Sequence, residues 1–150
     1  MEKSKKKIIE SIPNYSEGSK KVELIVSEIK NTPNTRIVDV QYDMDYNRAV
    51  ITFVGTPEAV LSANIDAAKK AIELIDMNFH TGQHPRIGAV DVVPFVPAQN
   101  VTMKECIELS IKFAEAMAKE RVPVYLYEES AQKMERKNID YIRKGEFEKL

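Results

Sequence analysis

Hydrophobic periodicity along this chain switches between about 2 and about 3.6 residues in a set order, and that order constrains the fold more than any single residue does. Residues 7–12 read as a short strand that stops at Pro13. Asn14-Tyr15-Ser16-Glu17-Gly18 is turn chemistry, because Asn and Ser side chains bond their own backbone. Residues 19–31 place Val22, Ile25, Val26 and Ile29 on one helical face, and Asn31-Thr32-Pro33-Asn34 ends the helix. Two strands follow, 36–42 and 49–54, whose short polar link predicts an antiparallel hairpin. Thr56 stands as N-cap and Pro57 as first residue of the longest helix, which runs to about Asp76. Its alanines, Ala59, Ala63, Ala67, Ala68 and Ala71, permit close approach to a sheet.

Residues 87–97 read as a strand in which Pro94 and Pro97 force an edge position or an early end. Thr102 and Glu105 make a capping-box pattern at the start of another helix. Met103, Cys106, Ile107, Ser110, Phe113, Ala114 and Met117 form its expected inward stripe. A last strand, 122–127, precedes a charged helical tail, 128–150. The element order predicts an α+β fold, a βαββαβ ferredoxin-like layered sandwich. It is extended by a further helix and strand, with a mixed sheet and helices on one face.

The 150 residues fit a single domain, 1–150, with residues 1–7 a basic, frayed arm. Basic side chains number 22 and acidic 23, a formal charge of −1 that gives no support to nucleic-acid binding. The lone cysteine, Cys106, has no partner for an internal disulfide. No apolar run follows the N-terminal lysines, and none reaches the roughly 18 residues that span a bilayer. Neither a signal peptide nor a membrane segment is expected, and the chain reads as cytoplasmic.

The chemistry concentrates in His80-Thr81-Gly82-Gln83-His84-Pro85-Arg86. Spacing of four suits two metal ligands on a helix, but Gly82 and Pro85 argue against a helix and no acidic residue completes a set. No metal is expected. Each imidazole either braces a turn or moves a proton, since histidine titrates near neutrality. Pro85 restricts His84 to extended backbone, and Arg86 supplies a cation for an anionic substrate. Asn14, Ser16 and Glu17 read either as a turn and helix cap or as a polar site. Asn47 and Arg48 read either as hairpin residues or as ligand contacts.

Several stretches resemble the glutamate formimidoyltransferase (formiminotransferase) family. They are Pro13-Asn14-Tyr15-Ser16-Glu17-Gly18, Asn47-Arg48, Thr52-Phe53-Val54-Gly55 and Leu74-Ile75-Asp76-Met77. Most specific is His84-Pro85-Arg86-Ile87-Gly88-Ala89-Val90-Asp91-Val92-Val93-Pro94-Phe95-Val96-Pro97. Val122-Pro123-Val124-Tyr125-Leu126-Tyr127 and Lys144-Gly145-Glu146-Phe147-Glu148 also fit. The resemblance runs from about Ile8 to the end and is to the N-terminal subdomain of that family.

The resemblance implies transfer of a formimidoyl group from N-formimidoylglutamate to tetrahydrofolate, the co-substrate, in histidine breakdown. It puts the catalytic acid–base histidine at His84. The remaining candidate substrate contacts are Arg86, Arg48, Asn14, Asn47, Glu17 and His80. It further implies a C-terminal subdomain that completes the folate groove, as a separate chain or otherwise. A subdomain without its mate exposes an apolar face, so association into an oligomer is expected as well. Two other readings share these residues: a non-catalytic folate- or partner-binding module, and formyl transfer between glutamate and folate.

Overall fold

The computed structural model describes residues 6–75 and 90–120. The last strand, the charged tail and the histidine stretch lie outside them. Within them the chain forms β1 (Ile8–Ser11), β2 (Asn14–Tyr15), α1 (Val22–Lys30), β3 (Thr35–Asp43), β4 (Arg48–Gly55), α2 (Pro57–Leu74), β5 (Val90–Val92), β6 (Phe95–Gln99) and α3 (Met103–Lys119).

β4 is the centre of a six-stranded sheet. β3 flanks it on one side; β1 and β2 flank it together on the other. β6 then pairs with β1, and β5 with β2. β1 and β2 are two halves of one strand interrupted at Ile12-Pro13, and β5 and β6 are likewise split at Val93-Pro94. Counting each broken strand once gives the βαββαβ order of a ferredoxin-like sandwich, followed by α3. The single strand expected over 87–97 divides because Pro94 has no N–H to continue a ladder.

Each pairing among the described residues is antiparallel, so the mixed sheet expected from the sequence is not seen there, and the expected last strand, 122–127, lies outside them. The reason is topological. A helical crossover makes β1 and β3 run the same way, but β4 inserts between them and pairs with both. No two parallel strands become neighbours among the described residues.

Burial alternates along β4, with Ala49, Ile51, Phe53 and Gly55 inward and Arg48, Val50, Thr52 and Val54 outward. Ile9, Tyr15 and Phe95 share the inward face, and all three helices contribute to the same core. Val22, Ile25, Val26 and Ile29 of α1 are buried as their spacing predicts. Ala59, Ala63, Ala67, Ala68 and Ala71 of α2 are buried as well. Small side chains there let α2 lie close to the sheet.

Local bonds set the element ends. Thr56 Oγ1 accepts from Ala59 N at 3.3 Å, and Thr102 Oγ1 from Glu105 N at 3.2 Å. Glu105 does not return the bond; its Oε1 accepts from Lys7 Nζ at 3.1 Å. The backbone carbonyl of Lys6 accepts from the Gln99 and Asn100 side-chain amides, so residues 6 and 7 are tied to the sheet edge. α1 starts at Val22 rather than Ser19, because Ser19–Lys21 forms a tighter turn of bonds three residues apart.

The α3 stripe is rotated from the expected one. Cys106, Leu109, Phe113 and Met117 are buried, whereas Met103 is exposed. Phe113 meets Phe95 edge to face with centroids 6.2 Å apart. The Cys106 thiol is pushed up by burial and then by the neighbouring Glu105 carboxylate. No described helix is long and apolar enough to cross a membrane.

Candidate functional site

Two of the expected site residues meet on the outward face of the sheet. Asn14 lies opposite Val50, while its neighbour Tyr15, opposite Ala49, points into the core. Arg48 is two residues from Val50 on the same face. Diagonal neighbours of this kind stand about 7–8 Å apart, within reach of one small ligand for long side chains.

Their hydrogen bonding leaves complementary functions exposed. Asn14 Nδ2 donates to the Ile12 carbonyl at 3.0 Å, and its Oδ1 accepts no hydrogen bond among the described residues. Arg48 lies opposite Asp43, but Asp43 Oδ1 accepts from Asp45 N at 2.7 Å and Tyr46 N at 3.3 Å to close the hairpin turn. The half-buried Arg48 guanidinium makes no ion pair or hydrogen bond among the described residues. Val50, Thr52 and Val54 continue the face as a largely aliphatic floor. A carboxylate for Arg48, an N–H for Asn14 and a flat apolar body for the floor would be satisfied together.

The other two described candidates hold the rim. Asn47, in the left-handed region at φ 51°, accepts from Gly18 N through Oδ1 at 2.9 Å. Glu17 Oε2 accepts from Ser19 N at 3.1 Å and from the Ser19 hydroxyl. That bonding is the turn-and-cap role for Glu17, and it ties the loop after β2 to the start of α1. Ser16, in the same loop, is buried.

Sequence reasoning missed Gly18. A Cβ there would stand 2.3 Å from Asp43 O and 2.9 Å from Asn47 Cα, so the loop needs glycine to lie against the hairpin turn. The sequence signal was only a Ser-Glu-Gly run ahead of a helix that begins late. Tyr15 was also missed: its ring is fully buried and its hydroxyl has no partner among the described residues. Burial alone holds that hydroxyl far above its ordinary value of 10.0.

His80, His84 and Arg86 lie outside the described residues. The described chain resumes at Val90, which pairs with Tyr15. Among the described residues no group of three His, Cys, Asp or Glu side chains is gathered as metal ligands would be.

The family described as "Formiminotransferase domain, N-terminal subdomain" matches residues 8–150. The formimidoyltransferase-cyclodeaminase of Gallus gallus is 46% identical over 96% of this chain and 27% of its own length. The glutamate formimidoyltransferase of Streptococcus pyogenes serotype M1 is 43% identical over 95% of this chain and 48% of its own. That of Thermoplasma acidophilum is 40% identical over 94% and 48%. The chain thus spans about half of the shorter relatives and about a quarter of the longer one. It belongs to the formiminotransferase family, in the N-terminal subdomain.

Proposed function

We propose that this chain supplies the acid–base half of a glutamate formimidoyltransferase, which moves the formimidoyl group of N-formimidoylglutamate to tetrahydrofolate. The observation that carries the reading is the match of residues 8–150 to the formiminotransferase N-terminal subdomain, with Asn14 and Arg48 on one face of the sheet. In this reading Arg48 and Arg86 bind carboxylates of glutamate or of the folate tail. Asn14 Oδ1 accepts an amidine N–H, and the aliphatic floor supports the flat ring system of the folate.

His84 acts as the proton shuttle. The attacking folate nitrogen forms a bond to the formimidoyl carbon and loses its proton to the imidazole, leaving a tetrahedral carbon. The carbon–nitrogen bond to glutamate then breaks, and the imidazolium returns the proton to the departing nitrogen. A group poised near neutral pH accelerates such transfers by about 10²–10⁴-fold. Asn47 and Glu17 serve by holding the rim, and His80 flanks the shuttle in sequence. The reading carries a cytoplasmic setting with it. It also carries association, with a C-terminal subdomain that closes the folate groove and with further copies of the chain.

Transfer from N-formimidoylglutamate, assayed for the chain alone and mixed with a C-terminal half from one of the relatives, tests the proposal. Activity in either arm is the expected result, and activity only on mixing marks a split enzyme. Silence in both, with folate still bound, would replace it with a binding module. Faster transfer from N-formylglutamate would replace the amidine by the acyl substrate.

A further inference from the structure

Two prolines interrupt neighbouring strands at the same level of the sheet, Pro13 between β1 and β2 and Pro94 between β5 and β6. One side chain stitches the break. Ser11 Oγ donates to the Pro94 carbonyl at 2.6 Å and accepts from Asn64 Nδ2 at 3.0 Å. Ser11 is 0% and Asn64 1% exposed.

Asn64 is out of place on composition. It sits among Ala63, Ala67, Ala68 and Ala71 on the buried face of α2, and its Oδ1 is buried without a partner among the described residues. A buried amide oxygen left unpaired destabilises the fold, a cost that an apolar side chain at 64 would avoid. The amide is therefore retained for its other end. By giving Ser11 Oγ a proton, Asn64 directs the hydroxyl's own proton to Pro94.

We propose that Ser11, oriented by Asn64, is a positioning residue for the outward-face site. The inference rests on the reading of that site given above. β2 has two residues and β5 three, too few to hold their own register, and the β2–β5 pairing already carries a shift between Asn14 and Tyr15. The stitch anchors the β5–β6 break to β1, and through β1 to the helix layer. β5 is thereby held against β2, and Asn14 is held beside Arg48. Losing the Ser11 hydroxyl lets β5 slip along β2 and turns the Asn14 acceptor away from its ligand.

Steady-state kinetics in the active arm of the transfer assay separate this from a role in stability alone. Loss of folded protein lowers the maximal rate and leaves KM unchanged, whereas a misplaced binding group raises KM. Ser11→Ala is expected to raise KM for N-formimidoylglutamate about tenfold with kcat per folded molecule within about threefold, and Ser11→Thr to restore KM. Ile25→Val, a core change remote from the break, is the stability control. An unchanged KM in Ser11→Ala, with rate falling only as the folded fraction falls, overturns the proposal.

If Ser11→Ala does not fold, Asn64→Leu takes its place. It keeps the serine but leaves its proton undirected, and an unchanged KM there overturns the proposal too. If the wild-type chain transfers nothing in either arm, the functional reading fails separately. The stitch is then judged by NMR: the Asn14 side-chain amide signals and the β2 and β5 amide exchange must change in Ser11→Ala, and unchanged spectra overturn it.

Discussion

Gly18 donates its backbone N–H to Oδ1 of Asn47 at 2.9 Å, joining two loops 29 residues apart in sequence. The contact closes the rim of the candidate site and leaves no space for a side chain on Gly18. Asn47 suits its end of the contact twice, as an acceptor and as a residue that tolerates φ near +50°.

Gly18→Ala should therefore cost at least about 2 kcal/mol in urea unfolding, since the clash is with backbone that cannot step aside. Asn47→Ala, which removes the acceptor and strains the left-handed backbone, should cost about 1–2 kcal/mol. Wild-type midpoints for both would show that the two loops are not clamped.

Tyr15→Phe should be neutral or stabilising by up to about 1 kcal/mol at pH 8, because it removes a buried hydroxyl that has no partner among the described residues. The pH dependence has a definite sign. Burial raises the folded-state pKa of this phenol above the ordinary 10.0, so its contribution is present below pH 10 and lost as pH rises beyond it. Wild type should lose stability between about pH 9 and about pH 11, and Tyr15→Phe should lose less. Equal losses in the two proteins would contradict the assignment.

Arg48→Gln should leave the unfolding midpoint unchanged, since the guanidinium has no partner among the described residues to abandon. Binding should weaken. A charge-assisted bond contributes about 1.5–3 kcal/mol, so KM for the glutamate substrate should rise roughly 10–100-fold. Isothermal calorimetry with N-formimidoylglutamate checks the same point, and unaltered affinity would remove Arg48 from the site.

Much of this arrangement was legible because periodicity is local information. The α1 stripe, the buried alanines of α2, the β3–β4 hairpin and both threonine caps follow from residues a few positions apart. What escaped was long-range. Asn14-Tyr15 reads as turn residues, yet it forms β2 because β4 and β5 flank it on both sides. Asn47 and Glu17 were open between binding and bracing, and their described bonds go to Gly18 and Ser19. The buried face of α3 includes Leu109 and omits Met103, because which side of a helix packs inward depends on partners distant in sequence, such as Phe95 against Phe113. Asp39 and Val38 sit at a register irregularity of β3 that no strand pattern announces.

The central claim is that His84 moves the proton in formimidoyl transfer. Its most direct test is kcat of His84→Ala against wild type in the assembled enzyme, with His80→Ala as the companion. The account predicts a fall of about 10²–10⁴-fold for His84→Ala and a change of only a few-fold for His80→Ala. Full transfer activity in His84→Ala would contradict it.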